Sequence, residues 1–322
     1  LVTESGGFSA RAAEMLRSIG DLVLADLDRN ALLCAVADAD VLWVRLRHRI
    51  DAGVIAAAPR LQVIVSPTTG LNHIDLEEAD RAGIRVVSLR GEVAFLQDVR
   101  ATAEHTLALI LALLRQVPGA AAHVRKGGWN RDRFKGHELH GKTAGVVGYG
   151  RLGRIVARYL QAFDMRVLAA DPHVEADVAA PDVTLVPLAQ LLPEADLVTL
   201  HVNLCAETAG FFGQSCFAMM REGAWFINTS RGELIDEGAL LDALCSGRLA
   251  GAALDVLREE RPAGMGDHLL VAYARTNDHL LLTPHVAGCT VESMEKTELF
   301  LAERLVSLLT REDAVREVVA GG

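Results

Sequence analysis

Residues 136–153 read GHELHGKTAGVVGYGRLG and contain two patterns that bind phosphate groups in other proteins. The first eight letters, GHELHGKT, match G-x-x-x-x-G-K-[ST], in which a glycine-rich loop follows a strand and opens a helix. The last six, GYGRLG, match G-x-G-x-x-G, in which a strand, a tight turn and a helix hold a dinucleotide. The elements on either side of each pattern therefore decide between them.

The flanking sequence favours the second pattern. GHELHGKT follows a polar segment and runs into the apolar strand AGVVGYG, so no helix N-terminus would face a phosphate there. GYGRLG follows that strand and precedes the helix RLGRIVARYLQAF, with Gly148 for the tight turn, Gly150 for close approach of a pyrophosphate and Gly153 for helix–strand packing. Asp171 ends the next strand. A carboxylate at this place accepts hydrogen bonds from the adenosine ribose hydroxyls of NAD and repels the 2′-phosphate of NADP. We therefore predict NAD rather than NADP.

Short apolar strands alternate with helices along the rest of the chain. LQVIVS (61–66), DLEEADRAG and IRVVSL read as strand, helix and strand, and LVTES and DLVLADL read as earlier strands. A long apolar helix is predicted from Ala101 to Arg115, then a polar arm or loop to Lys142, and a final helix over 290–311. This alternation predicts an α/β fold with parallel sheets covered on both faces.

Composition and charge argue against several kinds of partner and site. The chain has 322 residues and a formal net charge of −10, which argues against binding to nucleic acid or to anionic membranes. Its five scattered cysteines form no C-x-x-C pair, and the two histidines of HELH have no third ligand nearby, so no metal site is predicted. No signal-peptide pattern opens the sequence, and the apolar helix from Ala101 is shorter than the ~20 residues that span a bilayer. We expect a cytoplasmic protein.

Several ordered motifs resemble one known family. GKTAGVVGYGRLG, ADLVTLHVNL, GAWFINTSRGELIDEGAL, GRLAGAALDV and LTPHVAG, with SPTTGLNHID and ATAEHTLALILALLR before them, are similar to the D-isomer-specific 2-hydroxyacid dehydrogenases, and to phosphoglycerate dehydrogenases among them. The resemblance implies two doubly wound parallel-sheet domains with the active site in the cleft between them. A flavodoxin-like substrate domain would comprise residues 1–98 and 288–322, and a Rossmann NAD-binding domain residues 99–287. It also implies a homodimer through the cofactor domain, with the arm Arg115–Lys142 and Trp129 in the interface.

The resemblance also implies three catalytic residues for interconverting a D-2-hydroxy acid and its 2-keto acid. Arg231 in NTSRGEL matches the arginine that grips the substrate carboxylate, which suits a planar guanidinium. His285 in TPHVAG matches the general acid/base, since imidazole titrates near neutral pH. Glu260 matches the carboxylate that orients this histidine and stabilises its protonated form, with the adjacent Glu259 as the rival assignment.

Substrate and cofactor contacts follow from the same matching. Backbone amides at Thr69 and Gly70 would hold the substrate carboxylate, and Arg45 in the basic cluster VRLRHR would meet a phosphate or second carboxylate on the substrate. This chain departs from the common pattern at Asn72, Asn203 and Asp98, which leaves the particular substrate open. The cofactor contacts implied are Thr102, Gly148, Gly150, Arg151, Leu152, Gly153, Asp171, Val202, Asn203, Thr208, Thr229, Ser230, Asp255 and Gly288.

Two alternatives to a general D-2-hydroxyacid dehydrogenase remain at this point. One is a D-3-phosphoglycerate dehydrogenase without a regulatory domain. The other is a non-catalytic, NAD(H)-sensing protein of the corepressor type, which can keep the same three residues. The small-molecule partner is a 2-hydroxy or 2-keto acid in the first two cases, and a sensor would bind NADH without turning over any keto acid.

Overall fold

A computed structural model describes residues 1–175, 180, 182–260 and 264–320. The chain divides into two units, Leu1–Asp98 with Cys289–Gly322, and Val99–Gly288. The strands are β1 (Val41–Trp43), β2 (Val63–Ser66), β3 (Arg85–Ser88), β4 (Thr143–Val147), β5 (Arg166–Ala170), β6 (Val183–Leu185), β7 (Leu197–Leu200), β8 (Ala224–Asn228), β9 (Leu249–Leu254) and β10 (Leu280–Leu282). The helices are α1 (Ala10–Arg17), α2 (Arg29–Ala35), α3 (Ala52–Ala56), α4 (Leu76–Arg81), α5 (Val93–Leu96), α6 (Ala101–Leu114), α7 (Val117–Arg125), α8 (Arg151–Gln161), α9 (Leu188–Glu194), α10 (Gln214–Met219), α11 (Glu237–Cys245), α12 (Leu269–Ala274) and α13 (Val291–Ala320).

The unit Val99–Gly288 contains a seven-stranded parallel sheet in the order β10-β9-β8-β7-β4-β5-β6. The order reverses between β4 and β7, so the connections leaving their carboxyl ends run to opposite sides of the sheet. In open α/β sheets a ligand binds in the crevice outside such a switch point. The GYGRLG turn lies at this point, directly after β4. The predicted α/β architecture with parallel sheets is confirmed.

Both faces of this sheet are covered, which explains the apolar runs in its strands. On β8, Phe226 belongs to one buried cluster while Trp225 and Ile227 belong to the other. Helices α6 and α8 cover the second face through residues such as Ile110 and Leu160, each fully buried. Burying a side chain of this kind stabilises the fold by about 1.5–3 kcal/mol. Because both faces of these strands are buried, their sequences are apolar throughout and do not alternate between apolar and polar residues as half-exposed strands do.

The unit of residues 1–98 and 289–322 contains a three-stranded parallel sheet in the order β1-β2-β3. The segments LVTES and DLVLADL, predicted as strands, form only isolated bridges: Val2 pairs with Trp43 and with Leu24, both in parallel. The Val2 N–H donates to the Val23 carbonyl at 2.8 Å. A further bridge joins Glu4 to Asp26 in the antiparallel sense, and a turn then follows at Gly6 and Gly7, with Gly7 at φ 66°.

The segment AHVRKGGWNRDRFKGHELHGKT, predicted as a polar arm or loop, begins inside helix α7 (Val117–Arg125), so a loop is wrong for its first four residues. Proline near the first helical position and a run of three alanines favour a helix at this place. No described residue of α7 is buried, and Trp129 after it is 90% exposed. The segment is therefore only partly packed, with Val117, Val124 and Trp129 exposed.

Among the described residues, no single helix is long and apolar enough to cross a membrane. One pair of helical segments, Val93–Leu114 and Val117–Arg125, has the length and composition together, but it is bent by 64°. Half of the residues of α6 inside that pair are buried in the protein, as expected for a core helix.

Candidate active site

The glycine-rich turn has the backbone that its sequence predicts. Gly148 has φ 89°, and a Cβ added there would lie 2.5 Å from the His201 carbonyl oxygen. A Cβ added at Gly153 would lie 2.0 Å from the Gly148 carbonyl oxygen, whereas one at Gly150 would meet nothing within 4 Å. The first and third glycines are therefore required by the turn and its packing. The second leaves open space at the N-terminus of α8, the positive end of the helix dipole, which attracts an anion.

Charged side chains around this turn suit a dinucleotide. The Asp171 carboxylate, one residue beyond β5, accepts the Tyr149 N–H at 2.8 Å and the His173 N–H at 2.9 Å. Each carboxylate oxygen still has lone pairs for a ribose hydroxyl. At the start of α8, burial lowers the pKa of the Arg151 guanidinium and the nearby Arg100 charge lowers it further. An anion such as a pyrophosphate would relieve this repulsion between the two cations.

His201, which follows β7 beside the same turn, is a buried titratable group. Its Nε2 lies 3.0 Å from Thr199 Oγ1, and within the described part of the chain its buried Nδ1 has no hydrogen-bond partner. Burial lowers its pKa to about 3, so the folded protein holds this imidazole neutral. A neutral buried histidine makes the fold sensitive to acid, because the unfolded chain binds a proton there first.

We expect His201 to make stability fall as pH falls below about 6.5. In that range the unfolded state protonates the imidazole while the folded state resists down to a pKa of about 3. Between pH 6 and 4, the unfolding free energy of the His201→Gln variant should therefore fall less steeply than that of the wild type. The difference in slope should be up to about 1.4 kcal/mol per pH unit. Urea unfolding at several pH values measures this slope. His173→Gln, which changes an exposed histidine, is the control, and an unchanged slope in His201→Gln would contradict the assignment.

Glu260 and His285 form a direct contact. His285 Nδ1 lies 2.6 Å from Glu260 Oε2, and Glu260 Oε1 accepts the Leu257 N–H at 3.0 Å. His285 has φ 52°, a left-handed conformation that a non-glycine residue adopts only when its surroundings require it. Of the two candidate glutamates, it is Glu260 that contacts the histidine. Because Nδ1 is engaged, the other ring nitrogen, Nε2, is left to exchange protons.

A buried carboxylate holds the turn that carries His285. Asp255, only 1% exposed, accepts hydrogen bonds from Thr283 Oγ1 at 2.6 Å and from the Val286 and Ala287 N–H groups at 2.9 and 2.8 Å. His105 Nε2 lies 3.3 Å from the same carboxylate. These contacts account for the left-handed turn at His285. Asp255 was predicted to contact the cofactor, and its oxygens are also committed to this network.

Arg231 lies on the segment that follows β8. Its Nη1 donates to the Ser230 carbonyl at 2.6 Å, and burial lowers its pKa while the Glu233 and Glu260 carboxylates raise it. Arginine stays protonated despite such shifts. Arg231, Glu260 and His285 thus belong to one unit of the chain, with a cation near the glutamate–histidine pair.

Sequence reasoning missed Asn228, which ends β8 and is fully buried. Its side-chain amide donates to the Arg231 carbonyl at 2.9 Å, and its Oδ1 accepts the Ser230 N–H at 3.0 Å. Asn228 therefore shapes the turn of residues 229–231. A polar residue ending an otherwise apolar strand is the signal that could have found it.

Other predicted cofactor residues lie in turns of the same unit. Thr208 Oγ1 donates to the Asn203 carbonyl at 2.7 Å and accepts the Cys205 N–H at 2.8 Å, closing the turn after β7. Thr229 Oγ1 lies 2.8 Å from the buried Thr106 Oγ1, which bonds the Thr102 carbonyl at 2.7 Å. These threonines fix the backbone of their own segments. No group of three metal-ligating side chains occurs among the residues the structure describes.

The predicted substrate residues lie in the other unit. At the end of β2, Ser66 Oγ contacts Thr68 Oγ1 at 2.9 Å and His73 Nε2 at 3.1 Å. In the loop that follows, Thr68 Oγ1 donates to the Gly70 carbonyl at 2.8 Å. These bonds hold the loop that contains Thr69, whose side chain is exposed. Hydroxyl groups within the loop thus fix the backbone that was predicted to bind a carboxylate.

Arg45 is engaged within its own unit. Its Nη2 forms an ion pair with the buried Glu298 of α13, and its Nη1 donates to the Gly6 carbonyl at 2.8 Å. Its backbone N–H donates to Glu4 Oε1 at 2.9 Å. The guanidinium that was predicted to meet a substrate phosphate therefore already has a carboxylate partner.

Residues 107–287 match the model of the D-isomer specific 2-hydroxyacid dehydrogenase family, NAD-binding domain. The chain belongs to this family. The match includes the GYGRLG turn, Arg231, Glu260 and His285, and the domain it describes binds NAD. The resemblance seen in the sequence motifs is confirmed.

Comparisons with single proteins agree. The chain is 38% identical over 296 residues to the D-3-phosphoglycerate dehydrogenase of Mycobacterium tuberculosis, covering 92% of this chain and 54% of that protein. Among solved structures it resembles the TT0316 protein from Thermus thermophilus, with a TM-score of 0.81, 35% identity and 96% of each chain covered. It also resembles a D-lactate dehydrogenase from Aquifex aeolicus complexed with NAD and lactic acid, with a TM-score of 0.81, 27% identity and 93% and 92% covered. The chain spans about half the length of the curated relatives it matches.

Proposed function

We propose that this protein is an NAD-dependent oxidoreductase that interconverts a D-2-hydroxy acid and its 2-keto acid. The contact that supports this most directly is His285 Nδ1 to Glu260 Oε2, 2.6 Å long, in the unit that also carries the GYGRLG turn. A histidine with one nitrogen held by a carboxylate is suited to general acid–base catalysis through the other.

In reduction, His285 would donate its Nε2 proton to the carbonyl oxygen of the keto acid, and in oxidation it would take the hydroxyl proton. Glu260 keeps the ring oriented through its contact with Nδ1. Arg231 would grip the substrate carboxylate and polarise the adjacent carbonyl. The bound nicotinamide cofactor would accept the hydride from the substrate C2 as NAD⁺ and supply it to C2 as NADH.

We propose that the cofactor is held mainly by backbone groups at the GYGRLG turn. The pyrophosphate would meet the backbone N–H groups of Arg151 and Leu152 at the start of α8. Asp171 would accept the ribose hydroxyls. The remaining proposed contacts are the sequence-derived residues Thr102, Gly148, Gly150, Gly153, Val202, Asn203, Thr208, Thr229, Ser230, Asp255 and Gly288.

Asp171→Asn should shift cofactor preference toward NADPH. Asparagine keeps an oxygen that can accept one of the N–H bonds that Asp171 makes, but it removes the charge that repels a 2′-phosphate. We expect the ratio of kcat/KM for NADPH to that for NADH to rise by about 100-fold, since like-charge juxtaposition costs several kcal/mol. Initial rates with both cofactors measure it. An unchanged ratio, with the melting temperature preserved, would remove Asp171 from the ribose site.

We propose that the substrate carboxylate binds the backbone amides of Thr69 and Gly70. The ion pair of Arg45 with Glu298 disfavours a phosphate at Arg45, since a second anion would have to compete with a buried carboxylate. A substrate without a phosphate is therefore preferred. A D-3-phosphoglycerate dehydrogenase is the second candidate, favoured by the 36–38% identity to such enzymes.

A panel of keto acids distinguishes these functions. NADH oxidation would be followed with glyoxylate, pyruvate, hydroxypyruvate, 2-ketobutyrate, phenylpyruvate, oxaloacetate and 3-phosphohydroxypyruvate, with NADPH in parallel. We expect an unphosphorylated keto acid to give the highest kcat/KM. Preference for 3-phosphohydroxypyruvate over hydroxypyruvate would favour the second candidate. NADH binding without turnover of any member would point to a sensor.

We propose a cytoplasmic homodimer that associates through the surface of α7 and residues 126–142. The unburied side of α7 and the exposed Trp129 support this, since aromatic residues anchor protein interfaces. Four exposed free thiols suit a reducing compartment. Sedimentation of the wild type and a Trp129→Glu variant tests the assembly, and a monomeric wild type would contradict it.

A further inference from the structure

The glutamate that contacts His285 lies on a strained turn. Residues 257–260 follow β9, and Glu259 has φ 52°, a conformation that costs free energy in a non-glycine residue. Within the turn, the Leu257 N–H donates to Glu260 Oε1 at 3.0 Å. A strained turn persists only when contacts from outside hold it.

Glu237 supplies such a contact. It is the first residue of α11 and is 5% exposed, and its Oε1 accepts the Arg258 N–H at 2.8 Å. Burial raises the pKa of this carboxyl, and the hydrogen bond from the Arg258 N–H opposes that shift. Neither the proposed catalytic step nor the proposed cofactor site uses this buried carboxylate.

His268 in turn holds Glu237. Its Nε2 lies 3.2 Å from Glu237 Oε2, and its Nδ1 accepts the Leu270 N–H at 3.3 Å, which caps α12. Because Nδ1 accepts a hydrogen bond, the ring proton is on Nε2 and is donated to the carboxylate. Both carboxylate oxygens of Glu237 are thereby fixed.

The same turn is packed from the Arg231 side. A Cβ added at Gly232 would lie 2.0 Å from the Leu257 carbonyl carbon and 2.4 Å from the Arg258 nitrogen. The backbone that follows Arg231 therefore lies directly on the Leu257–Arg258 peptide. Movement of this peptide would displace both the glutamate turn and the arginine segment.

We propose that Glu237, held by His268, is a positioning residue that keeps Glu260 on His285. The Glu237 carboxylate accepts the Arg258 N–H and so fixes the backbone at Arg258. The position of this backbone determines whether the Glu260 side chain, two residues later, reaches His285. The proposal rests on the proposed catalytic role of the Glu260–His285 pair. Glu237 touches neither reacting group, so its effect on turnover must pass through Glu260.

A double-mutant cycle tests this route. Glu237→Gln and His268→Asn would each be measured alone and together with Glu260→Gln. We expect each single variant to lower kcat about tenfold, as small misplacements of reacting groups do, with the KM for NADH unchanged. In the Glu260→Gln background neither change should lower kcat further, because the carboxylate contact with His285 that Glu237 positions is already lost.

Matched variants keep the result interpretable. Asp242→Asn, an exposed carboxylate on the same helix, is the control and should leave kcat unchanged. Asparagine at 268 can still cap α12, so this variant carries the test should Glu237→Gln fail to fold. Melting temperatures report folding.

The outcomes separate this proposal from the function it rests on. If Glu237→Gln lowers kcat by the same factor in the wild-type and the Glu260→Gln backgrounds, the positioning role is overturned. The role is also overturned if the Glu237→Gln enzyme keeps full activity while the Glu260→Gln enzyme is impaired. A Glu260→Gln enzyme with undiminished kcat would overturn the proposed catalytic pair and the positioning role together.

Discussion

Replacing His285 with asparagine should lower kcat for keto-acid reduction by roughly 10²- to 10⁴-fold, the contribution typical of a general acid–base group. Asparagine has no group that titrates near neutral pH, so the proton for the new hydroxyl would have to come from water. It is also the least disruptive replacement, because His285 has φ 52° and asparagine tolerates this region better than most residues.

The His285→Asn variant should lose turnover but keep cofactor binding and stability. NADH affinity, followed by its fluorescence on binding, and the melting temperature should stay near the wild-type values. The control is Asp242→Asn, which changes an exposed carboxylate on α11 and should leave kcat intact. Wild-type kcat in His285→Asn would exclude this histidine as the proton donor.

Replacing Arg231 with lysine should lower kcat/KM for the keto acid by roughly 10²- to 10³-fold, although the positive charge is kept. Lysine cannot present the planar pair of donors that grips a carboxylate from two points. Arg231 also lies near the Glu260 carboxylate in a partly buried setting, where a shorter, more mobile ammonium would sit differently.

Steady-state kinetics separate binding from chemistry in this variant. A guanidinium that polarises the carbonyl in the transition state predicts a loss in kcat as well as a raised KM for the keto acid. Arg221→Lys, which alters an exposed ion pair with Asp196, is the control. A change in the KM for the keto acid alone would restrict Arg231 to holding the substrate.

Local patterns predicted the parts of the fold that depend on local sequence. The three glycines of GYGRLG predicted a strand–turn–helix because their conformational and packing demands act over six residues. The apolar runs of the parallel strands were equally clear, since burial on both faces leaves a continuous signal. Helix α7 was missed because its glycine and polar neighbours resemble a loop.

Contacts between distant segments could not be predicted. The pairing of Arg45 with Glu298 joins residues that the sequence separates by 253 positions, so the basic cluster looked available for a phosphate. The contact of Glu237 with the Arg258 N–H and with His268 depends likewise on where α11 and α12 pack. Single buried polar residues carry little sequence signal before their partners are known.

The choice between Glu259 and Glu260 shows the same division. Spacing from Asp255 favoured Glu260, but two adjacent glutamates differ in direction only through the backbone between them. The left-handed φ of Glu259 turns the chain there, and the Glu260 carboxylate contacts the histidine.

The proposed function requires transfer of a hydride from NADH to C2 of a 2-keto acid, which gives a D-configured hydroxy acid. The direct measurement uses NADH stereospecifically deuterated at C4, one preparation for each face, with the best keto acid of the panel that yields a chiral product. Mass spectrometry and chiral chromatography then analyse the hydroxy acid. We expect one of the two preparations to place a single deuterium at C2 of the D-isomer. An L-configured or racemic product, or no deuterium at C2 from either preparation, would contradict the proposed function.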